Sequence, residues 1–181
     1  MRSGRLPGLR FHDHAARAAT LIDLVLERRI SRNAIGELVA SPALTGNAAT
    51  DKMLTHVEQH PGSSIHDILA KAPVRMAHFL DTADRQHRWY SSRPRISRDE
   101  AEVERQRLDR AVGGNIDSPQ TAALLMLAEA LRLVAQTEPE NVLGECGEAA
   151  WVVEECVEYL RLLRHKYDMI VAAGSAGSGG S

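Results

Sequence analysis

Aromatic residues are scarce in this chain: two Trp, three Tyr and two Phe make up 4% of 181 residues. A core must therefore be built from Leu, Val, Ile, Ala and Met, and a hydrophobic content of 44% suffices for a sizeable one. Cysteine is scarcer still. Cys146 and Cys156 stand ten positions apart in one expected helical region, about 15 Å along a straight helix and beyond disulfide reach. Both are expected to be reduced, which fits a cytoplasmic setting. Neither belongs to a Cys-x-x-Cys pair, so zinc-finger and redox-motif chemistry is excluded. No apolar run approaches about 18 residues, and no apolar stretch followed by a cleavage site opens the chain. No transmembrane helix and no secretory signal are expected, so any membrane role is peripheral. No phosphate-cradling glycine loop occurs and no nucleophile is specified. These absences favour a protein that is not an enzyme and carries no cofactor or metal.

What is present is segregated charge. The formal net charge is -2, yet residues 85–98 read Arg-Gln-His-Arg-Trp-Tyr-Ser-Ser-Arg-Pro-Arg-Ile-Ser-Arg, with five arginines and no acid. The N-terminal arm adds Arg2, Arg5, Arg10 and Arg17 against Asp13. By contrast, residues 138–158 hold Glu138, Glu140, Glu145, Glu148, Glu154, Glu155 and Glu158 and no Lys or Arg. Arginine forks bind phosphate oxygens in pairs, and Trp or Tyr rings suit a water–lipid boundary. The basic cluster therefore points to an anionic, phosphate-bearing partner, against the plainer reading of a solvated interhelical turn. The acidic stretch reads as a solvated helix face. His56 and His60 lie one helical turn apart, and His12 and His14 form a second pair, but neither pair has a third ligand for a metal. Both are read as surface histidines, the second at a solvated helix start.

Hydrophobic periodicity gives an all-α fold: a helical bundle with a central apolar helix surrounded by amphipathic helices, and at most a short β-hairpin. Helices are expected over 13–29, from Asn47 as N-cap to Pro61, after Ser63 or Ser64, and from Pro73 towards Arg88. A further helix follows the Ser97-Arg-Asp-Glu100 capping box and is broken by Gly113-Gly114. The pattern Ile35-Gly-Glu-Leu-Val suits a hairpin arm. The most apolar helix runs over 120–136, after Asp117 or Ser118. A last helical region covers 141–172, broken near Gly144 or Gly147. One domain is expected over 1–172, with 173–181 a flexible Gly/Ser tail.

Several landmarks, in order, resemble the Golgi phosphoprotein 3 family. Residues 15–30, Ala-Ala-Arg-Ala-Ala-Thr-Leu-Ile-Asp-Leu-Val-Leu-Glu-Arg-Arg-Ile, look like its first long helix. Thr45-Gly-Asn-Ala-Ala-Thr-Asp51 is similar to its Thr-Gly-Asp turn, Asn47 standing for Asp. Pro119-Gln-Thr-Ala-Ala-Leu-Leu125 looks like its Pro-Arg-Thr-Ala-Ala-Leu-Leu helix start, and Trp151-Val152 with Glu154 resembles its closing Trp-Val motif. The Ala- and Arg-rich style is closest to bacterial members. The resemblance implies a helical fold and peripheral membrane association through phosphatidylinositol 4-phosphate. In the family's headgroup pocket, a Trp precedes an Arg at the opening of the first helix, and an Arg-x-x-Arg pair lies beside a membrane-touching hairpin. Arg17 matches the first Arg and Arg75 the second Arg of the pair. The Trp position falls on Gly8 and the other Arg on Ala72. The hairpin corresponds to about residues 88–95, shortened here, with Trp89 and Tyr90 as interfacial anchors.

The leading expectation is thus a non-enzymatic, peripheral membrane protein in the cytoplasm that binds an anionic phospholipid surface. Arg17, Arg75, Arg85, Arg88, Arg93 and Arg95 are the phosphate-binding residues and Trp89 and Tyr90 the membrane interface. General attraction to anionic lipid adds about 1 kcal/mol per basic residue near the surface. If packing gathers the arginines, they are expected at a helix entrance, where the dipole favours anions. The family also binds basic cytoplasmic tails of membrane enzymes, for which the acidic stretch is the candidate receptor. Two alternatives remain. One is a helical oligomerisation or scaffold protein, a homo-oligomer paired through the 120–136 helix. The other is nucleic-acid binding through the basic loop at 85–98, disfavoured by the acidic stretch and the lack of a recognition-helix motif.

Overall fold

The computed structural model describes residues 11–41, 45–75, 98–134 and 139–176. Within them the chain forms seven α-helices, one short 3-10 helix and one two-stranded antiparallel sheet. Helix α1 spans Phe11–Leu26 and buries Ala16, Ala18, Leu21, Ile22, Leu24 and Val25. Its small alanines let neighbouring helices approach closely, and Thr20 is accommodated by donating its hydroxyl to the Ala16 carbonyl at 2.7 Å. Strands β1 (Ile30–Arg32) and β2 (Leu38–Ala40) follow, with Ile30 opposite Ala40. Asn33 closes the hairpin: its side-chain oxygen accepts from the amides of Ile35 and Glu37 at 3.1 and 2.9 Å. Ile35 and Gly36 therefore lie in the turn and only the later residues form the expected arm.

Helix α2 (Ala48–Gln59) starts where Asn47 caps the amides of Ala49 and Thr50, and α3 (Ile65–Lys71) where Ser64 caps Asp67. Helix α4 covers Arg98–Val112, and Gly114 (φ +87°) turns the chain after it. Helix α5 (Pro119–Ala130) is capped by Ser118, with proline in its first turn. It buries Ala122, Ala123, Leu125, Met126, Leu127, Ala128 and Ala130, which leaves almost no outward face. It packs on α1, α4, α6 (Pro139–Glu145) and α7 (Ala150–Ala176), so it is the central element. Each fully buried Leu of this core, such as Leu24, Leu125 and Leu160, is worth about 1.5–3 kcal/mol in removed apolar surface.

The fold class is as expected, but several boundaries differ. Helix α1 ends at Leu26, not Arg29, and α5 ends at Ala130, not Gln136. Residues 72–75 are not helical, and the rest of the helix expected from Pro73 towards Arg88 lies outside the described residues. The break in the last region falls at Gly147 (φ +55°), where a 3-10 turn (Gly147–Ala149) intervenes. Cys146 thereby sits between α6 and the 3-10 turn and Cys156 on α7, both buried and free. Helix α7 runs to Ala176, taking in the start of the expected tail.

Candidate anion-binding site

Helix α3 stops at Lys71 because Pro73 follows. Proline disfavours helical backbone at the residue before it, and Ala72 accordingly adopts φ -54° and ψ 137°. The chain then crosses the flank of α1. The last carbonyls of α3 have no helical partners, and Arg17, on the second turn of α1, supplies donors. Its Nη1 donates to the carbonyls of Leu69 and Ala70, each at 2.8 Å, and its Nε donates to that of Val74 at 3.0 Å. One rigid fork therefore ties α1 to the end of α3 and to the segment after it. None of these bonds uses Nη2.

Arg75 follows Val74 directly, so Arg17 and Arg75 converge. The proximity is felt electrostatically. The Arg17 pKa is lowered, first by burial, with Arg75 adding to the effect, while Asp13 and Tyr159 oppose it. Whether a helix opens after Arg75, as expected, lies outside the described residues. Arg17 sits at the C-terminal end of α3, where the dipole favours the guanidinium itself and gives an anion no help. Attraction for a phosphate must come from the side-chain charges.

Histidines surround this pair. His14, one turn before Arg17, is half-buried, which corrects its reading as part of a solvated helix start. In its Nδ1–H tautomer it donates to the Leu69 carbonyl at 3.1 Å, and the Tyr159 hydroxyl of α7 lies 3.0 Å from the same nitrogen. The His66 ring of α3 is 5.3 Å from that of Tyr159. On α2, the His56 and His60 rings lie 4.3 Å apart, and His60 Nδ1 is 2.9 Å from the His56 carbonyl. Burial, then the Arg17 charge, lowers the His14 pKa, against the Leu69 hydrogen bond and Asp13, which raise it. Burial, then His60, Arg17 and Lys71, lowers that of His56. The acids nearby include Asp13, which is buried, Asp67, which pairs with Lys71 at 2.9 Å, and Asp51, which lines a cavity with His56 and Pro73. The sequence marks His14 and His56 only as surface histidines and singles out neither His66 nor Tyr159. His14 carried a signal, its position one turn from Arg17, whereas the others are assembled only by packing.

Of the expected site residues, Arg17 and Arg75 are thus brought together. Arg85, Arg88, Arg93, Arg95, Trp89 and Tyr90 lie outside the described residues, as does Gly8. Ala72, standing where the resembled pocket has its other arginine, is fully buried. The acidic stretch is put to structural use in part: Glu148 pairs with Arg28 at 3.0 Å, and Glu155 pairs with Arg32. The Arg32 guanidinium also lies 4.3 Å above the Trp151 ring, which docks the hairpin onto α7. Among the described residues, no group of three or more His, Cys, Asp or Glu side chains is placed to hold a metal, and no helix is long and apolar enough to cross a membrane.

Compared with known families, residues 1–158 match the family described as Golgi phosphoprotein 3 (GPP34). Neither the curated proteins nor the solved structures compared include a match.

Proposed function

Because the chain belongs to the Golgi phosphoprotein 3 family, we propose that it is a non-enzymatic, peripheral membrane protein that binds anionic phospholipid headgroups. Phosphatidylinositol 4-phosphate is the ligand that the family resemblance favours. One observation carries the reading: Arg17 reaches across 57 positions of chain to the Val74 carbonyl and so stands beside Arg75. A guanidinium whose Nε and Nη1 edge is fixed by backbone carbonyls is preorganised, and a phosphate that meets it orders less side chain on binding. Lys71, the last residue of α3, adds a charge that Asp67 partly offsets. Trp89 and Tyr90, fourteen and fifteen positions beyond Arg75, are the interfacial anchors of this reading.

Vesicle sedimentation tests it. Wild-type protein is expected to pellet with phosphatidylcholine vesicles containing phosphatidylglycerol or phosphatidylinositol 4-phosphate and to stay in solution with phosphatidylcholine alone. Arg75→Glu should abolish pelleting. With Trp151→Phe leaving Trp89 as the sole indole, its emission should move to the blue on vesicle binding. Equal binding to neutral and anionic vesicles sinks the proposal, as does full binding by Arg75→Glu.

A further inference from the structure

We infer that α7 carries a self-complementary interface whose occupant is a second copy of this chain, packed antiparallel. Helix α7 outruns the bundle. Among the residues whose burial is described, Leu160 is its last buried one; beyond it one side still meets the body, Tyr167 against Phe11 at 5.1 Å and Asp168 against Arg132, and the helix continues to Ala176. The family match ends at Glu158, so the extension lies beyond the segment shared with the family. Its outer face is apolar: Leu162 is 48% exposed, Met169 61% and Ile170 54%. Leu162, His165 and Met169 recur at helical spacing on one stripe, which Glu154 and Glu158 begin upstream. Where α7 still lies against the body, that stripe borders a groove of about 500 Å³ between α7 and the flanks of α5 and α6, lined by Met126, Leu143 and Val157 and also by the charged Glu154, Glu158 and Arg161.

Charge identifies the occupant and its direction. Within the stripe, Glu154 and Glu158 precede Leu162, and His165 and Lys166 follow it. Antiparallel packing about Leu162 sets each position before it against one after it in the other copy. Glu158 then faces His165 and Lys166 and Leu162 meets its own counterpart, while Met169 falls opposite Glu155, whose carboxylate Arg32 already holds. Parallel packing would set Glu158 against itself, which disfavours that arrangement. The other charges along this part of α7 are already engaged within the chain. Arg161 pairs with Glu129 at 3.0 Å, Arg164 with Asp168 at 3.3 Å and Arg132 with Asp168 at 3.0 Å. A two-fold assembly uses one patch on both subunits, and the order of charges about Leu162 lets this patch pair with itself.

Sedimentation velocity on the full chain tests the inference without reference to lipid. Wild-type protein is expected to approach twice its mass of 19.9 kDa as concentration rises. Leu162→Asp/Met169→Asp should remain at monomer mass with an unchanged helical circular-dichroism spectrum; both side chains are exposed, so folding is preserved. Glu158→Lys should weaken association by about tenfold, and adding His165→Glu/Lys166→Glu should restore it to within about twofold. A wild-type protein that stays monomeric at every concentration overturns the inference. So does a dimer that survives Leu162→Asp/Met169→Asp, or a charge reversal that restores nothing.

Discussion

The Arg17 Nε donates to the Val74 carbonyl at 3.0 Å while its Nη1 holds the Leu69 and Ala70 carbonyls. The same side chain therefore has two duties: it closes the end of α3, and it stands beside Arg75 as a positive charge. The two duties separate by substitution. Arg17→Ala leaves part-buried carbonyls without their donor and is expected to lower the unfolding free energy by about 1–2 kcal/mol as well as to weaken vesicle binding. Arg75 is exposed, and Arg75→Ala should change stability by less than about 0.5 kcal/mol while weakening binding comparably. Urea unfolding and vesicle sedimentation on the two variants check this. A fully stable Arg17→Ala would show that the carbonyl bonds count for little.

Local chemistry made much of the fold legible. Asn47, Ser64 and Ser118 cap the helices that follow them, because a short polar side chain before an apolar period satisfies helix amides in any context. The helix ends were legible where glycine or proline marks them, as Pro61 does just beyond α2. Gly114 closes α4, but α1 and α5 are closed by arginines in the left-handed region, Arg28 (φ 56°) and Arg132 (φ 59°). In both caps the next amide reaches back to the last turn: Arg29 to the Leu24 carbonyl at 2.7 Å and Leu133 to that of Ala128 at 2.8 Å. With no glycine as a signal, the periodic pattern overran both ends. The site divides similarly. Arg17 and Arg75 were legible through a resemblance, whereas His14 meets Tyr159 across 145 positions, a contact that no local spacing encodes.

Those two arginines give a stability prediction. A residue with a Cβ in the left-handed region costs about 1 kcal/mol relative to glycine. The Arg28 ion pair with Glu148 is highly exposed and of small worth. Arg28→Gly and Arg132→Gly are each expected to raise the unfolding free energy by about 0.5–1 kcal/mol, the second less because Arg132 also pairs with Asp168. Chemical denaturation measures the change. A loss of stability in both variants would refute the cap assignment.

The cysteines should be inert in the folded protein. Burial, with Glu145 adding, raises the Cys146 thiol pKa to about 11, and burial raises that of Cys156 as well. Since the thiolate is the reactive form, a thiol-reactive dye at neutral pH is expected to label neither residue in native protein and both in denaturant. Rapid native labelling of Cys156 would contradict its place in the core.

The histidines around Arg17 predict opposite pH responses for stability and for binding. The His14 and His56 pKa values are lowered in the fold, so below about pH 6.5, the ordinary histidine value, the unfolded chain binds more protons than the native one. Their contribution to stability is present above that pH and is lost as pH falls through it. A phosphate beside Arg17 offsets the part of both shifts that the Arg17 charge causes, burial being the larger part, so anion binding is expected to take up protons and tighten as pH falls. Phosphatidylglycerol is the suitable lipid, because its phosphodiester does not titrate in this range. Between about pH 7.5 and pH 5.5, the urea midpoint should fall while vesicle binding strengthens, and His14→Gln/His56→Gln should flatten both. Binding that weakens on acidification in wild-type protein would mean that the headgroup does not sit against these imidazoles.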